Sequence, residues 1–121
     1  STFDLSDSMI AGNLAQSIKT FQYLIESGEA PSLILWTISK EMRLLMQLYE
    51  QPQNALQLGI WKTKVSQYQQ ALRRLNPQQF LTWPLLLLRI DSAIKGKSQE
   101  KPEHLIQQCI AEVCGRTLFN H

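Results

Sequence analysis

Apolar residues recur along this chain at steps of three and four, and the sustained alternation that strands require is absent. No Asn-Gly or Asp-Gly pair marks a hairpin, and β-branched residues are scattered. The pattern predicts an all-α chain, a single helical bundle of five to six helices. The first helix is short, with Asp4 or Ser6 as its cap, Leu5, Met9 and Ile10 on its apolar side, and Gly12 as its terminator. Asn13, with Gln16 at the capping-box position, opens a second helix whose Leu14, Ile18, Phe21 and Ile25 step along one face before Gly28. Pro31 starts the third, where Leu35, Ile38, Met42, Leu45 and Tyr49 form a stripe that Ile34, Trp36, Leu44 and Leu48 widen. Only Lys40, Glu41, Arg43 and Glu50 are charged there, so this helix is expected at the centre.

A loop from Gln51 to Gln57 precedes a fourth helix beginning near Trp61, with Trp61, Val65, Tyr68, Leu72 and Leu75 inward and Lys62, Lys64, Arg73 and Arg74 off the stripe. Asn76 and Pro77 cap and start a fifth helix, rich in leucine from Leu85 to Leu88 and ending near Gly96. Pro84 falls inside it. A proline there removes a backbone hydrogen bond and clashes with the preceding turn, at a cost of about 3 kcal/mol, so a kink is expected between Thr82 and Pro84. A polar loop from Lys97 to Lys101 leads to Pro102 and a sixth helix, with Leu105, Ile106, Cys109, Ile110 and Val113 inward and Gly115 at its end. The tail to His121 is expected to fray.

At 121 residues, 44% of them hydrophobic and 18% charged, the chain can bury one core and is too short for two. No apolar run approaches the roughly 18 residues of a membrane span, and Ser1-Thr2-Phe3-Asp4 lacks the layout of a signal peptide, so a soluble, cytoplasmic protein is expected. The missing initiating Met and the acidic, helix-capping opening point to a piece of a longer protein. Cys109 and Cys114, five apart on a helix, face different ways and are expected to be reduced. Charge is unevenly spread. The first sixty residues carry six acidic side chains against three basic ones, whereas Trp61 to Lys101 carries eight basic ones (Lys62, Lys64, Arg73, Arg74, Arg89, Lys95, Lys97, Lys101) against Asp91 and Glu100.

Reactive constellations are hard to find. All five glycines stand singly as helix terminators, unlike a phosphate-wrapping loop, and no nucleophile elbow is present. His104 lies in a first helical turn without a sequence-local partner, and with His121 and the two cysteines it makes no ligand set at metal-site spacing. Asp4 and Asp7 are accounted for by capping and the helix dipole. No catalytic residue, metal or cofactor is assigned. Large aromatic side chains serve as partner anchors or as stacking platforms for single-stranded nucleic acid. Trp36 and Trp61 are predicted as core, while Trp83, beside Pro84, is open between core and interface. The basic stretch is likewise open between a solvated face and a surface for phosphates or an acidic partner.

Several segments resemble one family in order. Phe3-Asp4-Leu5-Ser6-Asp7-Ser8 with Gly12, then Gly28-Glu29-Ala30-Pro31 with Leu35-Trp36 and Lys40-Glu41-Met42-Arg43, are similar to the opening of the C-terminal collar domain of bacterial DNA polymerase III delta subunits. Leu58-Gly59-Ile60-Trp61, Ala71-Leu72-Arg73-Arg74-Leu75 and Asp91-Ser92-Ala93-Ile94-Lys95-Gly96 resemble later segments of the same family. Pro84 and the lysines of the loop from Lys97 to Lys101 depart from its pattern. The resemblance implies one collar domain over residues 1–121, separated here from the AAA+-like N-terminal domains of its parent, a component of the DNA polymerase III holoenzyme. It implies a non-catalytic scaffold that joins the gamma/tau and delta prime subunits through their collar domains, in the pentamer that loads the sliding clamp on primed DNA. The clamp itself would be met only through the missing N-terminal domain. Because aromatic and Arg side chains dominate interface energetics, Arg73, Arg74, Trp83 and Arg89 are the candidate contacts, with Lys95, Lys97 and Lys101 as a candidate loop near DNA. The rival is a stand-alone helical nucleic-acid-binding module that uses the basic stretch of residues 61–101.

Overall fold

The computed structural model describes residues 1–116, so the end of the chain with His121 lies outside the described residues. Six α-helices account for the fold: α1 (Thr2–Ile10), α2 (Leu14–Glu26), α3 (Pro31–Glu50), α4 (Val65–Arg73), α5 (Trp83–Ile94) and α6 (Pro102–Cys114). No strand occurs among the described residues. The boundaries of α2, the start of α3 and both ends of α6 are as the sequence predicts. Asn13 accepts a hydrogen bond from the Gln16 amide at 3.1 Å and so caps α2. Pro31 and Pro102 sit in the first turns of α3 and α6, where a missing N–H costs nothing, and Gly115 ends α6 in the left-handed conformation at φ 73°.

Helix α3 is the hub, packing against α1, α4, α5 and α6, while α1 pairs with α2 and α5 with α6. Its buried stripe is Ile34, Ile38, Met42, Leu45 and Leu48, joined by Thr37 and Glu41. The predicted stripe is therefore rotated. Leu35 is only partly buried and Tyr49 is exposed, because the face centred on Ile34 and Ile38 meets the core. Trp36, two residues beyond Ile34 and thus on the far side of the helix, faces solvent instead of the core. Leu5 and Met9 of α1, Phe21 of α2, Ala71 of α4, Ile90 of α5 and Ile106, Cys109, Ile110 and Val113 of α6 close around α3. Both cysteines are free and buried, and burial pushes each thiol above the ordinary thiol range.

Three helix starts differ from the prediction. The first helix, α1, begins at Thr2 with Ser1 as its N-cap, so Asp4 and Ser6, the two expected caps, both lie inside it, and the Asp4 carboxylate instead accepts from the Ser1 ammonium at 2.8 Å. The fourth helix does not begin at Trp61: that residue is extended (φ −63°, ψ 140°) and precedes a 3-10 turn, Lys62–Lys64, after which α4 begins at Val65. Trp61 is therefore off the helical stripe and exposed, where the spacing predicts core. Farther on, the expected kink at Pro84 is a full break. Pro77–Leu81 forms a 3-10 turn capped by Asn76, and α5 starts afresh at Trp83 with Pro84 in its first turn. This places Trp83 in line with Leu86, Ile90 and Ala93 on the buried face.

Candidate interaction surfaces

The residues predicted to meet partners divide sharply. Trp83 is wholly buried and has no surface to offer; its indole nitrogen donates to the Glu112 carboxylate at 3.1 Å, and its ring meets Phe80 edge-on at 4.8 Å. Arg74 turns inward, donating to the carbonyl oxygens of Ile10 at 2.6 Å and Cys114 at 3.2 Å, and its partial burial lowers its pKa from the ordinary arginine value. Arg89 is exposed but engaged, donating through two nitrogens to Glu100 at 3.2 and 2.5 Å, and these bonds hold the Glu100 carboxyl below the usual carboxylate range. Lys95 pairs with Asp91 one turn away at 2.8 Å. Arg73, Lys97 and Lys101 are exposed and make no ion pair within the described residues. The basic stretch of residues 61–101 is therefore not one positive face. Half of its charges are committed, Lys64 to Asp7, Arg74 to backbone carbonyls, and Arg89 and Lys95 to neighbouring acids.

The two tryptophans predicted as core are instead exposed and make the more distinctive surface features. Trp36 is 59% and Trp61 73% exposed, and each carries a lysine ammonium over its ring: Lys40 at 5.5 Å from the Trp36 centroid and Lys64 at 5.6 Å from that of Trp61. Each lysine is in turn held by an acid. Lys64 reaches Asp7 of α1 at 2.9 Å, and Lys40 lies 3.9 Å from the carboxylate of Glu41. Phe3, Lys40, Trp61 and Lys64 line a single groove, with Glu41 and Tyr68 at its floor. Glu41 is almost fully buried and accepts a short hydrogen bond from the Tyr68 hydroxyl. Burial first, and then this bond and the adjacent negative charge, raise the Tyr68 pKa far above the ordinary phenol value. Nothing in the residue-by-residue chemistry flags this group, but the sequence holds one signal of it. Glu41 is the lone charge in the series Ile34, Ile38, Glu41, Leu45 and Leu48, so it sits on the inward face.

A third surface lies on α5. Leu81, at the end of the preceding turn, and Leu85 and Leu88 follow one another at helical spacing and are between 61% and 79% exposed. Their neighbours Leu86 and Ile90 fill the core from the opposite side, so the bundle is closed without them. Two exposed leucines one turn apart on α5, with exposed Leu81 just ahead of them, are unusual for a surface meant only for water.

No group of three His, Cys, Asp or Glu side chains able to hold a metal ion occurs among the described residues. None of the curated proteins and none of the solved structures matches the chain. A family model described as the DNA polymerase III delta subunit, C-terminal domain, matches residues 1–113, which takes in all six helices up to the last turn of α6. With the all-helical fold and a match across nearly the whole length, the chain belongs to the family of C-terminal domains of DNA polymerase III delta subunits.

Proposed function

We propose that this chain is a single collar domain, a non-catalytic scaffold that packs against the matching domains of the gamma/tau and delta prime subunits in the clamp-loader pentamer, which places the sliding clamp on primed DNA. Family membership supports the parent subunit, and the observation that carries assembly is the exposed leucine patch of Leu85 and Leu88 on α5 with Leu81 in the turn before it. Covering a leucine side chain contributes about 1.5–3 kcal/mol, so a neighbour seated here gains appreciably from three of them. In this reading clamp contact belongs to the N-terminal domain of the parent subunit, and the collar domain neither binds ATP nor opens the clamp. Size-exclusion chromatography with light scattering, on this chain alone and mixed with the collar domains of gamma/tau and delta prime, tests it. A mixed complex is the expected result, and absence of a complex with either partner overturns the proposal.

A second contact, with single-stranded nucleic acid, is favoured by the tryptophan and lysine surface. Base stacking on an exposed aromatic ring contributes about 1–3 kcal/mol per base, and an ammonium beside the ring is placed for the adjoining phosphate. In this reading nucleic acid is met at Trp36 with Lys40 and at Trp61 with Lys64, and not along the basic stretch as a whole. Binding of a labelled oligothymidylate should weaken roughly tenfold in Trp61→Ala, in keeping with that stacking energy. Unchanged affinity in that variant removes this reading and leaves the scaffold alone.

A further inference from the structure

We infer that Asp7 is a built-in competitor for the nucleic-acid surface, a carboxylate that occupies on Lys64 the place a backbone phosphate takes. The inference rests on the nucleic-acid contact proposed for Trp61 and Lys64. Its basis is one shared ammonium. Lys64 Nζ lies 5.6 Å from the Trp61 ring centroid and, at the same time, 2.9 Å from Asp7 Oδ1. Single-strand sites set basic side chains that track the backbone beside aromatic rings that stack bases, so an ammonium at the edge of an exposed ring that now takes a carboxylate oxygen can take a phosphate oxygen instead. The acid comes from a different element, α1, fifty-seven residues away in sequence, so the contact is made by the fold and not by helical proximity.

The pair is built to open. Asp7 is exposed at 58% and the Lys64 side chain is half-buried at 37%, and an ion pair open to water in this way is weak and screened by salt. Asp7 also lines the groove that holds Trp61, Lys64 and Phe3, so its charge faces any polyanion entering there. The Trp36 side differs in this respect. The acid next to Lys40 is Glu41, which is buried, bonded to Tyr68 and 3.9 Å from the ammonium, so it is not displaced. Of the two lysines, Lys64 alone must exchange one anion for another. Asp7 thus keeps Lys64 poised over Trp61 in the free protein while limiting how tightly a strand is held, a useful property where nucleic acid must be released.

A double-mutant cycle tests this, with labelled oligothymidylate as the probe and the wild-type chain, Asp7→Asn, Lys64→Met and the double variant compared across a salt series. Freed of its competitor, Lys64 should bind phosphate about two- to fivefold more tightly in Asp7→Asn at low salt, the range set by exposed ion pairs. That gain should fade as salt screens the pair. In the Lys64→Met background the Asp7→Asn change should give a clearly smaller gain, only that from the lower charge repulsion in the groove. An equal gain in both backgrounds overturns the inference, since it reports only lower overall repulsion, and so does an absence of gain in the wild-type background. If neither wild type nor Asp7→Asn binds the oligonucleotide, the nucleic-acid reading itself falls and the inference goes with it. Circular dichroism melts of each variant confirm that folded protein is compared.

Discussion

Arg74 donates from Nη2 to the carbonyl oxygen of Ile10 at 2.6 Å, across sixty-four residues of sequence. Its Nε donates to the carbonyl oxygen of Cys114 at 3.2 Å, so one guanidinium serves the last carbonyls of both α1 and α6. Helix C-termini leave carbonyls unpaired and carry the negative end of the helix dipole, and a planar cation with several donors answers both needs. The chain makes room for it with glycine. A Cβ on Gly12 would lie 2.6 Å from Arg74 Nε, and one on Gly115 would lie 2.9 Å from the Arg74 carbonyl oxygen, while both glycines hold positive φ.

Arg74→Met should therefore lower stability by about 2–3 kcal/mol, the cost of losing charge-assisted hydrogen bonds that leave partly buried carbonyls unserved. Arg73→Met, one residue away and exposed, should stay within about 0.5 kcal/mol of wild type. Urea unfolding of the two variants checks this. Equal midpoints would mean that the brace contributes nothing.

Tyr68 and Glu41 give a pH dependence with a definite sign. The Tyr68 pKa is raised in the folded protein from the ordinary value of 10.0, by burial and by Glu41. The unfolded chain then releases its phenolic proton near pH 10 while the folded chain retains it. The stability from this group is fully present below that pH and is lost as pH rises above it. Urea unfolding from pH 8 to pH 11 should show a falling limb that is shallower in Tyr68→Phe. At pH 8 the same substitution should cost about 1–3 kcal/mol, because a buried carboxylate loses its donor. Identical alkaline slopes in the two proteins would show that the pair does not govern the titration.

What the sequence makes legible here follows from how local each signal is. Asn13 with Gln16, Pro31, Pro102 and Gly115 act through their own backbone neighbours, and each marks its helix end correctly. The surroundings of the tryptophans depend instead on helix phase, which turns by about 100° per residue. Beginning α4 at Val65 and not at Trp61 takes Trp61 out of the core, and restarting α5 at Trp83 puts Trp83 into it. Trp36 is set by whether Ile34 or Leu35 leads the stripe of α3, and both are apolar. The pairings of Arg74 with Ile10 and Lys64 with Asp7 join residues more than fifty apart, and no spacing rule carries that information.

The exchange of roles among the tryptophans has a measurable consequence. Trp83→Ala should destabilise the chain by about 3–5 kcal/mol, as expected for removing a large buried aromatic side chain. Trp36→Ala and Trp61→Ala should each remain within about 0.5 kcal/mol of wild type, since their rings face solvent. The midpoints of three denaturation curves decide the matter. A severe loss in Trp36→Ala or Trp61→Ala, or a mild one in Trp83→Ala, would contradict the observed placement.

The leucine face of α5 separates folding from assembly. Leu85 and Leu88 are 65% and 61% exposed while Leu86 and Ile90 anchor the same helix in the core, so an acid at position 85 or 88 meets water in the free chain. Leu85→Asp and Leu88→Asp should accordingly keep thermal unfolding within a few degrees of wild type, the shift expected for a surface change below about 0.5 kcal/mol. Buried against a partner, the same carboxylate would be unpaired in an apolar contact, which costs several kcal/mol, so co-elution with the gamma/tau or delta prime collar domain should be lost. Leu56→Asp is the control: it introduces the same charge at a leucine similarly exposed, in the connection between α3 and α4. Retained co-elution in Leu56→Asp together with its loss in Leu85→Asp assigns the joint to α5. Persistence of the complex in Leu85→Asp and Leu88→Asp would place the joint elsewhere on the bundle.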